Sequence, residues 1–254
     1  MTDRALHDRV IRALADAPYR ASAEWRGDAL AEPERVERFA RFLARHFYYE
    51  RVVHFFKYSR ALARVTGRRP EAVLAGPAFD ARFPSLVLGS RESAATVARL
   101  AAAHVRDGDG GRPPYLGDLL RYEEAMMVVE AGPRLWREAS GGQHATGNAV
   151  EAVEGTVLLD LTFDLPVVLP KLLQPWTEVP EAPERPTKLL VARSPHGRVA
   201  VARSTDPVEK VLALADGRRT VEELAAGAGV TAAQLDETLR GLVEIGALRF
   251  STGS

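Results

Sequence analysis

Between residues 206 and 234 the chain carries three helix starts in close succession, and these limit its fold most tightly. Asp206-Pro-Val-Glu209, Thr220-Val-Glu-Glu223 and Thr231-Ala-Ala-Gln234 each place Glu or Gln three residues after a cap residue. In such a box the cap oxygen takes a free N–H of the first turn, and the Glu or Gln side chain takes the cap's own N–H. Pro207 suits a first helical position, and Gly217, Gly227 or Gly229, and Gly246 suit stops. The spacing predicts helices near 207–215, 221–227 and 232–245, then a short strand at 247–250.

Strands precede these helices. Segments 188–193 and 198–203 flank Ser194-Pro-His-Gly197, which reads as a hairpin with a four-residue turn. Further upstream Val157, Leu159, Leu161 and Phe163 alternate with Thr156, Leu158, Asp160 and Thr162, the period of a strand. A short apolar run, 166–173, leads into a proline-rich loop at 175–186. Strands, three helices and a strand follow the order of a winged helix, expected over residues 146–254.

The first part of the chain reads as helix throughout. Helical composition covers 3–16, ending near Pro18, and a much longer stretch covers 33–67. Within the latter Val36, Ala40, Leu43 and Phe47 form one stripe, continued by Phe55, Tyr58, Leu62 and Val65. Pro33 stands at a first helical position and Gly67 at a C-cap. Shorter helices are expected at 70–74, 92–105 and 115–130, with Asp107-Gly-Asp-Gly-Gly-Arg-Pro-Pro114 as a loop. Character changes after Ser140-Gly-Gly-Gln-His-Ala-Thr-Gly-Asn148. The fold class is therefore α+β: an all-helical domain over 1–145, then the winged helix.

Composition removes several functions. The chain has no cysteine, which excludes disulfides, thiolate metal sites and a cysteine nucleophile, and suits a cytoplasmic setting. No membrane span is expected, since no apolar run nears the length of one, and the first residues lack the apolar core of a secretory signal. Formal net charge is zero, so the whole chain has no electrostatic pull toward nucleic acid. Residues 34–70 are nevertheless basic: Arg35, Arg38, Arg41, Arg45, Arg51, Lys57, Arg60, Arg64, Arg68 and Arg69 face only Glu34, Glu37 and Glu50. This reads as a solvated or partner-facing surface opposite the apolar stripe. Asp118, Glu123 and Glu124 are expected to supply local ion pairs.

His46, Glu50 and His54 lie at i, i+4 and i+8, the residue types of a non-heme iron site on one helix face. They span about 12 Å along a straight helix, too far to meet at one ion. A metal-dependent helical enzyme is thus a weaker reading than a packed or partner-facing helix, and neither metal nor cofactor is expected. No Ser-His-Asp arrangement, phosphate loop or dinucleotide fingerprint occurs, and no residue is assigned to catalysis.

The helix pair at 220–242 has helix-turn-helix spacing, so a winged-helix DNA-binding transcriptional regulator is the alternative. The second helix offers Gln234 and Arg240 but also Asp236, Glu237 and Glu244. That net negative charge argues against phosphate contact, so nucleic acid is not the expected partner.

Two groups of segments carry a resemblance. Asp216-Gly-Arg-Arg-Thr-Val-Glu-Glu-Leu224 and Leu242-Val-Glu-Ile-Gly-Ala-Leu248, following the hairpin, resemble PqqD-like RiPP recognition elements, winged-helix domains that bind the leader of a ribosomally made precursor peptide. Arg41-Phe-Leu-Ala-Arg-His-Phe-Tyr48, Tyr58-Ser-Arg-Ala-Leu-Ala63 and Pro114-Tyr-Leu-Gly-Asp-Leu-Leu-Arg-Tyr-Glu-Glu124 resemble partner proteins of multinuclear non-heme iron-dependent oxidative enzymes, or MNIOs. The resemblance implies a non-catalytic subunit that binds an MNIO iron enzyme and presents a precursor peptide leader to it.

Such recognition works by strand addition, which needs an open edge. The segment Val199, Ala200, Val201, Ala202 and Arg203 is the expected edge, with the valines on one face and the alanines on the other. Leu235, Leu239 and Leu242 of the last helix are the expected groove wall, against the plainer reading that they are core.

Overall fold

The 33–67 stretch is helical, but not as one rod. The protein is described by a computed structural model over residues 3–27, 32–131 and 149–250. It falls into two units: Met1–Ala131 with Leu169–Pro180, and Gly132–Val168 with Glu181–Ser254. The segment 169–180 thus counts with the helical unit, although the sequence places it beyond residue 146. The change of character at 140–148, and the expected boundary there, lie outside the described residues.

The first unit starts with α1 (Asp3–Ala15), α2 (Ala17–Ala21) and α3 (Ala23–Arg26). The Asp16 side chain caps α2 by accepting from Tyr19 N at 2.9 Å, and Pro18 stands in its first turn rather than ending a helix. Then come α4 (Pro33–Phe55), α5 (Lys57–Ala61) and α6 (Ala63–Thr66), closing at Gly67. A 3-10 turn at Pro70–Ala75 leads into α7 (Pro77–Arg82), α8 (Arg91–Arg106) and α9 (Leu116–Glu130). Among its described residues the only β feature is an isolated Asp16–Val87 bridge.

The buried stripe of α4 is Ala40, Ala44, Tyr48, Val52 and Phe55. It lies about one residue around the helix from the predicted stripe, of which Ala40 is buried while Val36, Leu43 and Phe47 are half-buried. Small Ala40 and Ala44 let neighbouring elements approach, and Tyr48 fills space beside Phe79, edge to face at 6.3 Å between centroids.

The break after α4 is held by a distant acid. Glu123 of α9 is fully buried, and its Oε1 accepts from Tyr58 N at 2.8 Å and Ser59 N at 3.1 Å. These are N–H groups of the first turn of α5, which a helix start leaves without partners. Ser59 Oγ also donates to Phe56 O, tightening the bend. Glu123 therefore accepts backbone hydrogen bonds rather than forming the local ion pair expected of it.

Several arginines of 34–70 are exposed, as a solvated face requires, while others also make contacts inside the unit. Arg41 and Arg45 both reach Asp80, at 2.9 and 2.8 Å, and Arg41 lies over the Phe83 ring. Arg51 covers Phe47, Arg60 holds Glu71 at 3.0 Å, and Arg64 lies over Trp176. These contacts tie elements of the unit together at its surface.

The second unit is built on two three-stranded sheets. One has β1 (Ala149–Ala152) between β5 (Asp216–Thr220) and β6 (Leu248–Phe250), antiparallel throughout. The other runs β2 (Val157–Leu161), β3 (Thr187–Arg193), β4 (Val199–Arg203) in order, also antiparallel. Between β2 and β3 the apolar run is a helix, α10 (Leu165–Leu172), and the chain crosses from one unit to the other within it. α11 (Asp206–Leu214), α12 (Val221–Ala228) and α13 (Ala232–Glu244) follow β4, with β5 inserted between the first two. Val150, Leu190, Ala192, Val211, Leu224, Leu235, Leu239 and Leu248 meet in one core.

Two of the three expected capping boxes form: Thr220 with Glu223 and Thr231 with Gln234. The third does not. Thr205 stands at the cap position of α11, and Asp206 lies inside the helix. The Asp206 and Glu209 carboxylates are drawn instead to Lys188 Nζ, at 3.0 and 2.8 Å, which raises the lysine's pKa.

Candidate functional site

The β3–β4 hairpin ends the second sheet, and β4 is hydrogen-bonded to β3 alone among the described residues. Its turn is closed by Ser194 N donating to Arg198 O at 2.8 Å and Gly197 N donating to Ser194 O. At the other end Ser204 N donates to Lys188 O at 2.9 Å. Antiparallel pairs alternate between bonded and non-bonded positions. Arg198 and Ser204 are bonded positions, so Ala200 and Ala202 turn their peptide groups toward β3. Val199, Val201 and Arg203 turn theirs outward, to the open edge.

Register sorts the side chains as well. Ala200 and Ala202 stand opposite Ala192 and Leu190, which belong to the core shared with α11, α12 and α13. Val201 stands opposite Val191 on the other face and is exposed. The helix-side face of the edge strand is thus made of methyl groups, leaving room for a neighbour.

Arg203 is anchored. It donates to Asp164 Oδ1 at 2.6 Å, and Arg185 donates to the other carboxylate oxygen. Asp164 has no exposed surface. Burial by itself would push its carboxyl up, but the two arginine hydrogen bonds outweigh this and hold it below its ordinary value.

Leu235, Leu239 and Leu242 are closed inside the core, 0–4% exposed. They present no wall to a guest as the protein stands. The helix pattern could show that these positions share a face, but not that α12 and β6 cover it. On the rest of α13, Gln234 is engaged in its capping box and Arg240 pairs with Asp236.

The histidine constellation does not converge. His46 Nε2 lies 3.4 Å from Glu50 Oε1 on the solvent side and its ring stacks on Phe42, while His54 stands edge-on to Phe55. Among the described residues no three His, Asp or Glu side chains are grouped to hold a metal ion. No described helix is long and apolar enough to cross a membrane.

Sequence reasoning missed β1 and β5, the anchoring of Arg203 and the burial of Glu123. Only the last left a trace, since Glu123 falls between Leu119, Leu120 and Met127 on one face of its helix. No protein-family model matches the chain, and no curated protein matches it either.

Proposed function

We propose that this protein is a non-catalytic peptide-presenting subunit: the β4 edge captures the leader of a ribosomal precursor peptide, and the protein docks that peptide to an MNIO iron enzyme. The observation that carries the reading is the one-sided pairing of β4, with three outward peptide groups at Val199, Val201 and Arg203. Main-chain pairing along such an edge gives affinity, and pockets beside it give selection. The order hairpin, α11, α12, α13 and β6 is compatible with a winged helix, and we read the second unit as one. An uncovered edge is otherwise a risk of aggregation, which a bound peptide removes.

The experiment is co-expression of the full chain with an MNIO enzyme and its precursor peptide, followed by co-purification. Wild type is expected to retain both. Val201→Pro deletes an outward N–H without touching the bonds to β3, and proline is tolerated on an edge strand. This variant is expected to keep its fold and the enzyme but lose the peptide. If enzyme and protein never associate, with or without the peptide, the reading is wrong.

The α12–α13 pair, both helices capped, motivates a second reading as a DNA-binding regulator. Pairing of Arg240 with Asp236, and the exposed acids Glu237 and Glu244, leave α13 poorly suited to phosphates. Salt-dependent binding to duplex DNA would restore it.

A further inference from the structure

Helix α4 carries a second apolar stripe that its own unit does not bury. Phe39, Phe42, His46 and Tyr49 recur at i, i+3, i+7 and i+10, opposite the buried face. Phe42 is 63% exposed and Phe39 51%. Their rings stack in a row, Phe39 on Phe42 at 6.4 Å and Phe42 on His46 at 6.3 Å. Beside this row α1 and α4 enclose a groove of about 660 Å³ lined by Val10, Leu14, Phe39 and Phe42.

Exposed aromatic rings in line with an apolar groove mark an interaction surface more often than chance placement does. Charge identifies the occupant. The cations that line the groove are Arg35 and Arg38, and no acid lines it among the described residues. Other arginines of the segment are engaged: Arg41 and Arg45 with Asp80, Arg51 with Glu130, Arg60 with Glu71. The side chains of Arg35 and Arg38 have neither an ion pair nor a hydrogen bond among the described residues.

We infer that the α1–α4 groove docks an amphipathic helix of a partner protein, whose apolar residues seat against Phe39 and Phe42 and whose acidic flank meets Arg35 and Arg38. An apolar stripe at i, i+3, i+4 and i+7 fits a groove between two helices. The two cations supply orientation and reject a basic partner. This surface lies in the first unit and does not depend on strand addition at β4.

The test uses the full chain and two labelled peptides roughly 18 residues long, about five helical turns. Both carry one leucine stripe, flanked by Glu in one and by Lys in the other. Fluorescence anisotropy is expected to show saturable binding of the Glu peptide, at least about tenfold tighter than the Lys peptide and weakened by salt. Arg35→Glu/Arg38→Glu should reverse that preference. Phe42→Ser, at an exposed position that leaves the fold intact by circular dichroism, should abolish binding of both.

Equal binding of the two peptides, or none, overturns the proposal, as does binding that Phe42→Ser leaves unchanged. Self-association of the chain lost on Phe42→Ser would make a second copy the occupant and overturn it too. So would binding to vesicles of anionic phospholipid through the same residues.

Discussion

Arg203, the last residue of β4, donates a hydrogen bond at 2.6 Å to Asp164, a carboxylate with no exposed surface. The contact fixes one end of the open strand to the segment that precedes α10. Asp164→Asn keeps the shape but removes the charge that two arginines share. It should cost about 2 kcal/mol at neutral pH, the scale of hydrogen bonds to a charged group. The Asp164 pKa is lowered in the folded protein, so its contribution is present above the unfolded value and fades as pH falls through the folded one. Urea titrations at neutral and acid pH should therefore show wild type and variant converging as the medium becomes acidic.

Glu123 shows the opposite sign. Burial raises its pKa to about 8, against the backbone bonds from Tyr58 and Ser59. A carboxyl with a raised folded pKa contributes fully below its unfolded value, and that contribution is lost as pH rises through the folded value. Wild type should lose stability across this window, by no more than about 1.4 kcal/mol per pH unit. Glu123→Gln retains an acceptor for the α5 amides and cannot ionise. Its stability relative to wild type should climb from mildly acid to mildly alkaline pH; parallel pH curves would show that Glu123 does not titrate as described.

Gly246 and Gly229 separate two costs of a left-handed backbone. A Cβ at Gly246 would sit 2.0 Å from Arg193 O, at the end of β3, whereas one at Gly229 meets nothing within 4 Å. Both have positive φ, 80° and 71°. Gly229→Ala should cost about 1 kcal/mol, the conformational penalty alone. Gly246→Ala must also displace the β3 carbonyl, and its thermal midpoint should fall well below that of the first variant.

The caps can be ranked in the same way. Thr220→Ala and Thr231→Ala each break a formed capping box and should cost about 1 kcal/mol apiece. Asp206→Ala breaks none, because Thr205 occupies the cap position. It should shift the urea midpoint less than either threonine variant, and a larger shift would restore the box expected there.

Features held by neighbours in sequence were legible, and features held by distant residues were not. The boxes at Thr220 and Thr231 and the turn at Ser194-Pro-His-Gly197 close within four residues, so the sequence displays both partners. The break at Phe56 depends on Glu123, 65 residues beyond the Tyr58 amide it accepts, and nothing near Phe56 announces it. β5 is Asp216-Gly-Arg-Arg-Thr220, a run with little intrinsic strand preference that is held by pairing with β1. Of the candidate site, the exposed strand was readable from its alternation and its hairpin. Apolar spacing gave Leu235, Leu239 and Leu242 a common face but could not tell a groove from a core. The arginines of α4 mislead for a related reason: Asp80, which holds two of them, lies 35 and 39 residues away.

The alternation along β4 also constrains whatever lies against it. A chain laid antiparallel there would point every second amide back at the protein and the intervening ones toward water. Proline at those intervening positions would do no harm, while proline one place along would remove a bond. Guests of quite different side-chain composition could therefore share this rail, provided their imino acids fall in step.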